Sequence, residues 1–564
     1  MSIPYVVDGE TELSSELFNP WVDQMNGLQT GALPIALAGI EGALGEYAAS
    51  DSTPVETVIY DHIYSRSADA STNRTNLQTL LDRIKPTGSG KQVRLFIPPK
   101  FASGLPDPMM VNKGSGAFCM DMPSGVSIEG AGIGSALKLA AGQPSSTRVL
   151  SISGKSNVRV RGLSIDGNKA QNDTAFEQNH CIMVYESEYV SIDQCELKNA
   201  TGDGVMLSGT IATPSAYCTV ERCDISENYR SGVTVTQADN IRVLHCDIVA
   251  SSVPTSGAFD MEPYLSESPS NVLVHGNNLS TPDTSGYLAT LAGDSNSYPY
   301  RNIRFSGNHL SGGLLNIICS QGVLVEGNTG DLRQVYCNGW SRDVVIRGNS
   351  FRLYPVDGRG VYLVYSGSAW PERVQIAGNT LEMGAAGDGI VLRGADKVSA
   401  VGNTLLGYGS GAAVLVLATR DMADISVDGN VASSWERFFQ GSVSGGSVIR
   451  RASVTNNAGS GFSHASYGAV DLATTFGTAV MIDPIVYGNR FGSVTSGKQV
   501  STNTATPYVV SGNPGAGAAW NVYGSPEGQI TEVVGATATR RDGGASTTMY
   551  VKESGTGNTG WRAV

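Results

Sequence analysis

The segment VLVHGNNL (272–279) recurs along this chain in thirteen variants, among them IRFSGNHL (303–310) and VVIRGNSF (344–351). Successive copies begin 20 to 32 residues apart. A short motif of fixed form with connections of variable length is typical of a solenoid, whose repeats stack while the loops differ. The sixth position of the thirteen copies forms one column: Leu163, Cys195, Cys223, Cys246, Asn277, Asn308, Asn328, Asn349, Asn379, Asn403, Asn430, Asn457 and Asn489.

The alternation of β-branched and polar residues in each copy predicts a strand with one buried face. Two other short strand-like runs separate consecutive copies, as in one coil of a parallel β-helix. We expect the asparagine column at a tight bend, where Asn tolerates a left-handed backbone and stacked amides hydrogen-bond from coil to coil. The fold class is therefore all-β, a right-handed parallel β-helix.

The eight cysteines fit this fold as buried free thiols. Three of them stand in the column, and no CxxC pair or His-flanked cluster suggests zinc. We therefore predict no metal and no cofactor, and we expect the chain to fold in a reducing host cytoplasm.

Composition narrows the possible partners. The chain has 564 residues, 69 of them glycine, with 16% charged residues and a net charge of −13. The absence of a basic cluster argues against nucleic acid. The start, MSIPYVVDGE, has no basic and apolar leader, and no apolar run approaches the roughly 18 residues of a membrane span, so we expect no secretory signal and no membrane insertion.

Three segments are predicted. Residues 1–55, with two short amphipathic stretches, form an attachment or oligomerisation segment. Residues 56–510 form the β-helix, opened by a capping helix at 71–84 and with 125–139 as the first coil. Residues 511–564, rich in glycine and threonine, form a small β domain.

Several features resemble the pectate-lyase-like parallel β-helices, in particular bacteriophage tailspikes. They are the helix NLQTLLD (76–82), the strand ending in Pro98 and Pro99, the segment GVSIEGAGIGSAL (125–137) and the asparagine column. The segment from Gly524 to Trp561 is similar to a C-terminal segment of phage tail and receptor-binding proteins, and the N-terminal stretch also resembles such proteins. The resemblance implies a homotrimeric virion protein, joined to phage tail or baseplate proteins, that binds and cleaves a bacterial surface polysaccharide outside the host cell.

The strand GAFDMEP (257–263) carries the strongest candidate chemistry. Asp260 and Glu262 are two residues apart on one strand and therefore point the same way, roughly 7 Å apart. One protonated and one ionised carboxyl at about 6.5–9.5 Å is the requirement of an inverting glycosidase. Mutual repulsion raises one of the two pKa values and favours split roles. Asp203, in TGDGV two coils earlier, is a further candidate, although Asp before Gly is also common in turns.

Outward positions of the second strand in each coil supply candidate substrate-binding side chains. Tyr336, Trp340 and Tyr362, together with Trp370, would form a strip suited to stacking on sugar rings, or would instead pack under loops. The full predicted set is Thr234, Tyr336, Asn338, Trp340, Tyr362 and Arg393.

Three acids, Glu196, Asp224 and Asp247, follow the column cysteines in successive coils. They should stack about 5 Å apart, where like charges are unfavourable. Either a cation such as calcium lies there or solvent and Arg222, Arg230 or Arg242 screen the charges.

Three functions remain open. The first is hydrolysis of a capsular, exopolysaccharide or O-antigen glycan by Asp260 and Glu262. The second is β-elimination of a uronate-containing polymer, with Tyr229, Arg230 and Arg393 as candidates. The third is receptor binding without catalysis.

Overall fold

The computed structural model describes residues 56–84, 86, 93–102, 104–251, 257–263, 269–283, 285–292, 301–443, 447–472, 480–482, 484–495, 500–501, 509–511, 520–522, 524–529, 537–540, 542–555 and 558–564. These residues lie in one compact unit, Ser50–Val564. The predicted attachment segment 1–55 lies outside the described residues. The boundaries of all three predicted segments stay predictions.

From Glu188–Asp193 to Ala458–Ser460, each coil contributes two strands, one on either side of the column residue, to a 31-stranded sheet, which we call the ladder sheet. In the coil of Leu163 a single strand, Ser156–Asp166, runs through the column position. Consecutive coils pair in parallel, as in Ser270–His275 with Arg301–Ser306. Its strands are Glu56–Ile59, Val93–Ile97, Met109–Val111, Val126–Leu139, Ser156–Asp166, Glu188–Asp193, Glu196–Lys198, Ser215–Glu221, Asp224–Ser226, Ala238–Leu244, Asp247–Val249, Ser270–His275, Asn278–Ser280, Arg301–Ser306, His309–Ser311, Gln321–Glu326, Thr329–Leu332, Arg342–Arg347, Ser350–Leu353, Glu372–Ala377, Thr380–Met383, Asp396–Val401, Thr404–Leu406, Met422–Asp428, Val431–Ser433, Val448–Thr455, Ala458–Ser460, Val480–Ile482, Ile485–Tyr487, Arg490–Phe491 and Val509–Ser511.

The third strand of each coil belongs to a 15-stranded parallel sheet, which we call the cleft sheet. The predicted second strands of the coils fall in it. Its strands are Phe118–Asp121, Arg148–Ser153, Ile182–Tyr185, Val205–Ser208, Ser231–Val235, Gly257–Met261, Tyr287–Ala292, Leu314–Ile318, Gln334–Asn338, Arg359–Val364, Asp388–Arg393, Ala412–Ala418, Arg437–Val443, Val470–Asp471 and Val500–Ser501.

A continuous core runs between the two sheets, because alternate residues of every strand point inward. Val205, Val233 and Phe259 are each fully buried in successive coils of the cleft sheet. The all-β right-handed parallel β-helix predicted from the repeats is thus the fold of this chain.

The asparagine column forms a hydrogen-bonded ladder inside the core. Asn349 shows the arrangement: its Oδ1 accepts from the backbone N–H and the Nδ2 of Asn328, each at 2.9 Å. Its Nδ2 donates to the carbonyl of Val325 at 3.0 Å and to Oδ1 of Asn379 at 2.9 Å. The predicted coil-to-coil amide bonds are confirmed, and they satisfy backbone groups at the bends from Asn277 to Asn457.

The left-handed backbone at these bends belongs to the residue before the asparagine, contrary to the expectation that Asn itself adopts it. Gly348 has φ 61° and Gly378 has φ 61°. Glycine carries no penalty there because it lacks a Cβ. The asparagine is thereby left free to point inward and bond along the ladder.

All eight cysteines are buried and none forms a disulfide, as predicted. Where the column changes from cysteine to asparagine, the backbone N–H of Cys246 donates to Oδ1 of Asn277 at 2.8 Å. The Cys223 thiol instead meets the carbonyl of Ile192 at 3.6 Å. Cysteine therefore continues the column as a small buried side chain.

The predicted capping helix runs from Ala70 to Ile84 and buries Asn73, Leu77, Leu80 and Leu81. The parallel pairing begins before the predicted first coil, residues 125–139. Two earlier strands already pair in parallel: Glu56–Ile59 pairs with Val93–Ile97, which in turn pairs with Val126–Leu139. The other elements are the helices Tyr60–Ile63 and Lys169–Gln171 and the strands Phe101–Ala102, Leu105–Pro106, Trp520–Val522, Thr537–Arg540, Met549–Lys552 and Trp561–Ala563.

The last four of these strands form the small C-terminal sheet, mostly antiparallel. Among the described helices, none is both long enough and apolar enough to cross a membrane.

Candidate active site

The strand Gly257–Met261 places Asp260 on the outer face of the cleft sheet. Phe259 and Met261 on either side are fully buried, as the alternation predicts. In register, Asp260 pairs with Thr234 in one neighbouring coil and with Thr290 in the other. Glu262 follows the strand directly, so both carboxyl groups stand on one face.

Arg230 holds the carboxylates together. Its Nη2 forms an ion pair with Oε2 of Glu262, whose side chain is 50% exposed. Its Nε lies 3.8 Å from Oδ1 of Asp203, which is fully buried. Asp260 interacts electrostatically with the same guanidinium. The three predicted acids thus come together around one arginine.

From the sequence, Arg230 is a candidate only for elimination and for screening other acids. A signal for its true position exists in the register: Ser231, the next residue, stands beside Asp203 in the following coil. The Ser231 N–H donates to Oδ1 of Asp203 at 3.0 Å. Arg230 immediately precedes Ser231 and therefore lies close to the acids.

The acids differ in protonation. Burial, together with the charges of Glu262 and Asp203, raises the pKa of Asp260 to about 8, while the charge of Arg230 opposes them. Burial also raises the pKa of Asp203 to about 6, against Arg230, the Ser231 N–H and Thr234. At neutral pH Asp260 accordingly keeps its proton, whereas Glu262 is the charged partner of Arg230.

Asp203 is a positioning residue by its geometry. Its backbone N–H donates to Nδ1 of the fully buried His180 at 2.9 Å. Burial, with the charges of Arg148 and Arg230, holds the pKa of His180 well below its usual range, so the ring is neutral. Asp203 reaches no solvent and acts on the surface through neighbours such as Arg230 and Ser231.

The predicted substrate-binding residues fall in two outward columns of the cleft sheet. Thr234, Asp260, Thr290, Asn316, Tyr336 and Tyr362 form the first, and Asn338 and Arg393 belong to the second. At roughly 4.8 Å per coil, Tyr336 stands about 14 Å and Tyr362 about 19 Å from Asp260.

Three polar side chains of these columns have an oxygen that is buried without a hydrogen-bond partner in the structure. They are Thr234, Asn316 and Asn338. A buried polar atom left unpaired is costly and marks a place where water or a ligand group binds.

The aromatic residues do not form one open strip. Tyr362 is 3% exposed and packs with Val364, Val391 and Leu415, while Arg359 covers its ring at 4.6 Å. Arg393 donates to the Tyr362 hydroxyl at 3.3 Å. Tyr362 therefore packs against neighbouring side chains, which was the alternative to stacking on a sugar ring.

Trp340 and Trp370 remain partly exposed and form a pair with ring centroids 5.6 Å apart. Arg342 lies over Trp340 at 5.4 Å and Arg420 over Trp370 at 3.9 Å. Only Tyr336 combines a position in the Asp260 column with partial exposure of its ring.

The three stacked acids on the ladder sheet pair in register as expected, Glu196 with Asp224 and Asp224 with Asp247. Burial and the two neighbouring carboxylates raise the pKa of Asp224. The screening cation is Lys198, whose Nζ lies 2.7 Å from Glu196. Within the described residues, no group of three or more His, Cys, Asp or Glu is placed to hold a metal ion.

Two arginines expected to screen these acids bind elsewhere. Arg222 donates to Asp193 at 2.8 Å, and Arg230 belongs to the carboxylate cluster of the cleft sheet.

Comparison with known proteins agrees with this fold. Residues 148–405 match the family described as "Right handed beta helix region". A curated relative, the SPbeta prophage-derived uncharacterized protein YorA of Bacillus subtilis (strain 168), is 25% identical over 255 residues, which cover 40% of this chain and 38% of that protein. The chain thus spans about two fifths of the length of this relative.

Among solved structures, a tailspike mutant of E. coli bacteriophage HK620 in complex with pentasaccharide has a TM-score of 0.42 and 13% identity, covering 87% of this chain and 88% of that one. The A-module of the Azotobacter vinelandii mannuronan C-5 epimerase AlgE4 has a TM-score of 0.35 and 13% identity, covering 79% and 97%. The pre-mature gene product 12 of bacteriophage phi29 has a TM-score of 0.39 and 12% identity, covering 81% and 73%. The chain is a right-handed parallel β-helix protein, with the matched region at residues 148–405.

Proposed function

We propose that this protein binds a bacterial surface polysaccharide on its cleft sheet and cleaves it by glycosidic hydrolysis. The observation that carries the proposal is the cluster around Arg230, in which a protonated Asp260 and an ionised Glu262 stand on one outer face. Hydrolysis of a glycosidic bond needs such a pair of carboxyl groups in opposite protonation states.

Asp260 is the proton donor in this proposal. Its raised pKa leaves the carboxyl neutral near pH 7, ready to protonate the leaving glycosidic oxygen. Glu262, half exposed and charged, activates the attacking water. Neighbouring positions on one strand face are about 7 Å apart, which falls in the range of inverting enzymes.

Arg230 keeps the two roles apart. Its charge stabilises the carboxylate of Glu262 and compensates the buried Asp203, so that the negative charge beside Asp260 stays limited. The unpaired oxygen of Asn338, a partly exposed residue of the same face, supplies an acceptor for a sugar hydroxyl group.

The biological setting follows from the resemblance to phage tailspikes. We place the protein in a phage virion, joined to tail or baseplate proteins and acting outside the host cell. The prophage origin of the Bacillus subtilis relative supports a phage setting.

We expect a homotrimer, because rods with exposed sheet faces gain stability by packing side by side. Light scattering of the purified chain should give three times the 59.0 kDa of the monomer. A stable particle of monomer mass would contradict this.

β-Elimination is less well supported. It requires a cation free to neutralise a uronate carboxylate, yet Arg230 is already engaged by Glu262 and Asp203. Arg393 is directed to the Tyr362 hydroxyl.

Digestion of a panel of purified capsular, exopolysaccharide and O-antigen glycans, followed by mass spectrometry, tests the proposal. Hydrolysis adds one water to each product pair, whereas elimination leaves an unsaturated uronate that absorbs in the ultraviolet. Binding with no change in polymer size would instead indicate a receptor-binding protein.

Replacing Arg230 by Met should move the alkaline limit of activity to higher pH. Arg230 lowers the pKa of Asp260, so its removal lets the proton stay on that carboxyl further into the alkaline range. The pH dependence of kcat/KM measures the shift. The matched control is Arg222→Met, which breaks the ion pair with Asp193 on the ladder sheet and should leave the profile unchanged. Identical profiles for the two variants would remove Arg230 from the proposed mechanism.

A further inference from the structure

A second cluster of charged and aromatic side chains lies near the other end of the cleft sheet. Its first member, Asp388, stands in the same column as Asp203. Strand pairing aligns Val205 with Ile390 through the intervening coils, and Asp203 and Asp388 each lie two residues before these aligned positions. Asp388 Oδ1 accepts from the Ala412 N–H of the next coil at 2.7 Å, as Asp203 does from Ser231. The same local arrangement thus presents a carboxylate at a second place on one sheet edge.

Arg437 stands one coil beyond Ala412, in register with it. Its Nη1 donates to Oε1 of Gln440 at 2.6 Å, and its Nε lies 3.4 Å from Oδ2 of Asp471. The side chains of Arg437 and Asp471 are 11% and 3% exposed. Gln440 and Asp471 continue the outward column that contains Asp260.

An aromatic wall completes the cluster. The Tyr467 ring lies 4.8 Å from the Arg437 guanidinium and 4.7 Å from the His464 ring. Nδ1 of His464 accepts the N–H groups of Ser466 and Tyr467, both at 3.1 Å. The neutral imidazole therefore carries its proton on Nε2, which leaves one donor at the edge of the ring.

The charges of this cluster favour an uncharged sugar over an anionic one. The carboxylates of Asp388, Glu436 and Asp471 face two guanidinium groups, those of Arg359 and Arg437. An anionic sugar would meet an excess of negative charge, whereas the hydroxyl groups of an uncharged sugar can donate to the partly exposed carboxylates of Asp388 and Glu436 and accept from His464. The Tyr467 ring, flanked by Arg437 and His464, offers its partly exposed edge to the C–H groups of the sugar.

We propose that this cluster is a second binding site for an uncharged sugar unit of the polysaccharide, distinct from the acid pair. The proposal rests on the proposed function for the identity of the polymer. Asp260 and Asp471 are eight coils apart, so the two sites are separated by about 38 Å. A long glycan chain can occupy both sites, and the second contact then forms at high effective concentration.

The test measures binding by the full chain carrying Asp260→Asn, which removes cleavage. The probes are the glycans of the same panel and their size-fractionated short fragments. Tyr467→Ala in this background should weaken the binding of the long polymer at least about tenfold. Fragments too short to span both sites should bind at the acid pair with unchanged affinity. Tyr467→Phe, which keeps the ring, should restore binding of the long polymer.

Tyr408→Ala is the matched control, because Tyr408 is 66% exposed and is not part of the cluster. An equal loss for long and short probes, or no loss for either, would overturn the second site. If no glycan is cleaved by the wild-type chain but Tyr467 still governs binding of the long polymer, the second site stands and the proposed hydrolysis fails.

Discussion

The variants Asp260→Asn and Glu262→Gln should each lower kcat by at least about a hundredfold, the usual contribution of a general acid or base. The amides preserve shape and hydrogen bonding but cannot transfer the proton. In the wild type, activity should fall as pH rises through about 8, where Asp260 loses its proton. The Asp260→Asn variant should lose this alkaline limb. Glycan binding should persist in both.

Stability provides the control for these variants. The folded pKa of Asp260 is raised above the 3.8 of the unfolded chain to about 8, so the folded state holds the proton more tightly. Its contribution to stability is complete below pH 3.8 and is lost as pH rises towards 8. Asp260→Asn should therefore become progressively more stable than the wild type between these pH values, by about 1 kcal/mol or more at the upper end.

Wild-type turnover in both variants would contradict the acid pair. The next candidates would then be the acids Glu196, Asp224 and Asp247 on the ladder sheet.

Replacing Asn349 by Leu should lower the free energy of unfolding by about 3 kcal/mol or more. Leucine removes both bonds that Asn328 donates to the amide oxygen and leaves the carbonyl of Val325 without its donor. Each buried polar group left unpaired costs about 1–3 kcal/mol. Thermal or urea unfolding measures the loss, and Asn379→Leu should behave alike because its bonds are equivalent.

Asn278→Leu is the matched control, since Asn278 follows a ladder residue but is exposed. Its effect should stay within about 0.5 kcal/mol, as for most surface substitutions. If Asn349→Leu or Asn379→Leu lost activity while keeping its melting temperature, the asparagine column would have a role in catalysis and not only in stability.

The repeated strands could be predicted because each copy carries its own evidence. Alternation in VVIRGNSF assigns the buried face, and the column residue follows from the requirement to satisfy the bend inside the core. The same alternation placed Asp260 on the outer face of the cleft sheet, between the buried Phe259 and Met261. It did not reveal which residue of the bend is left-handed, because both Gly and Asn tolerate that conformation.

The meeting of Arg230 with Asp203 and Glu262 could not be read from spacing, since 27 and 32 residues separate Arg230 from these acids along the chain. The register of the second strands places Ser231 beside Asp203, but the direction of the Arg230 side chain toward both acids depends on the stacked coils. The burial of Tyr362 was equally hidden, because it depends on side chains such as Leu415 that arrive from other coils.

The amino-acid sequence by itself thus determined the β-helix, its asparagine ladder and the outward direction of Asp260 and Glu262, because these depend on periodicity within single strands. The tertiary structure alone decided that Asp260 is protonated, that Asp203 is enclosed and that Arg230 joins them. Those properties depend on desolvation and on charges from three different coils, and both arise only when the coils are stacked.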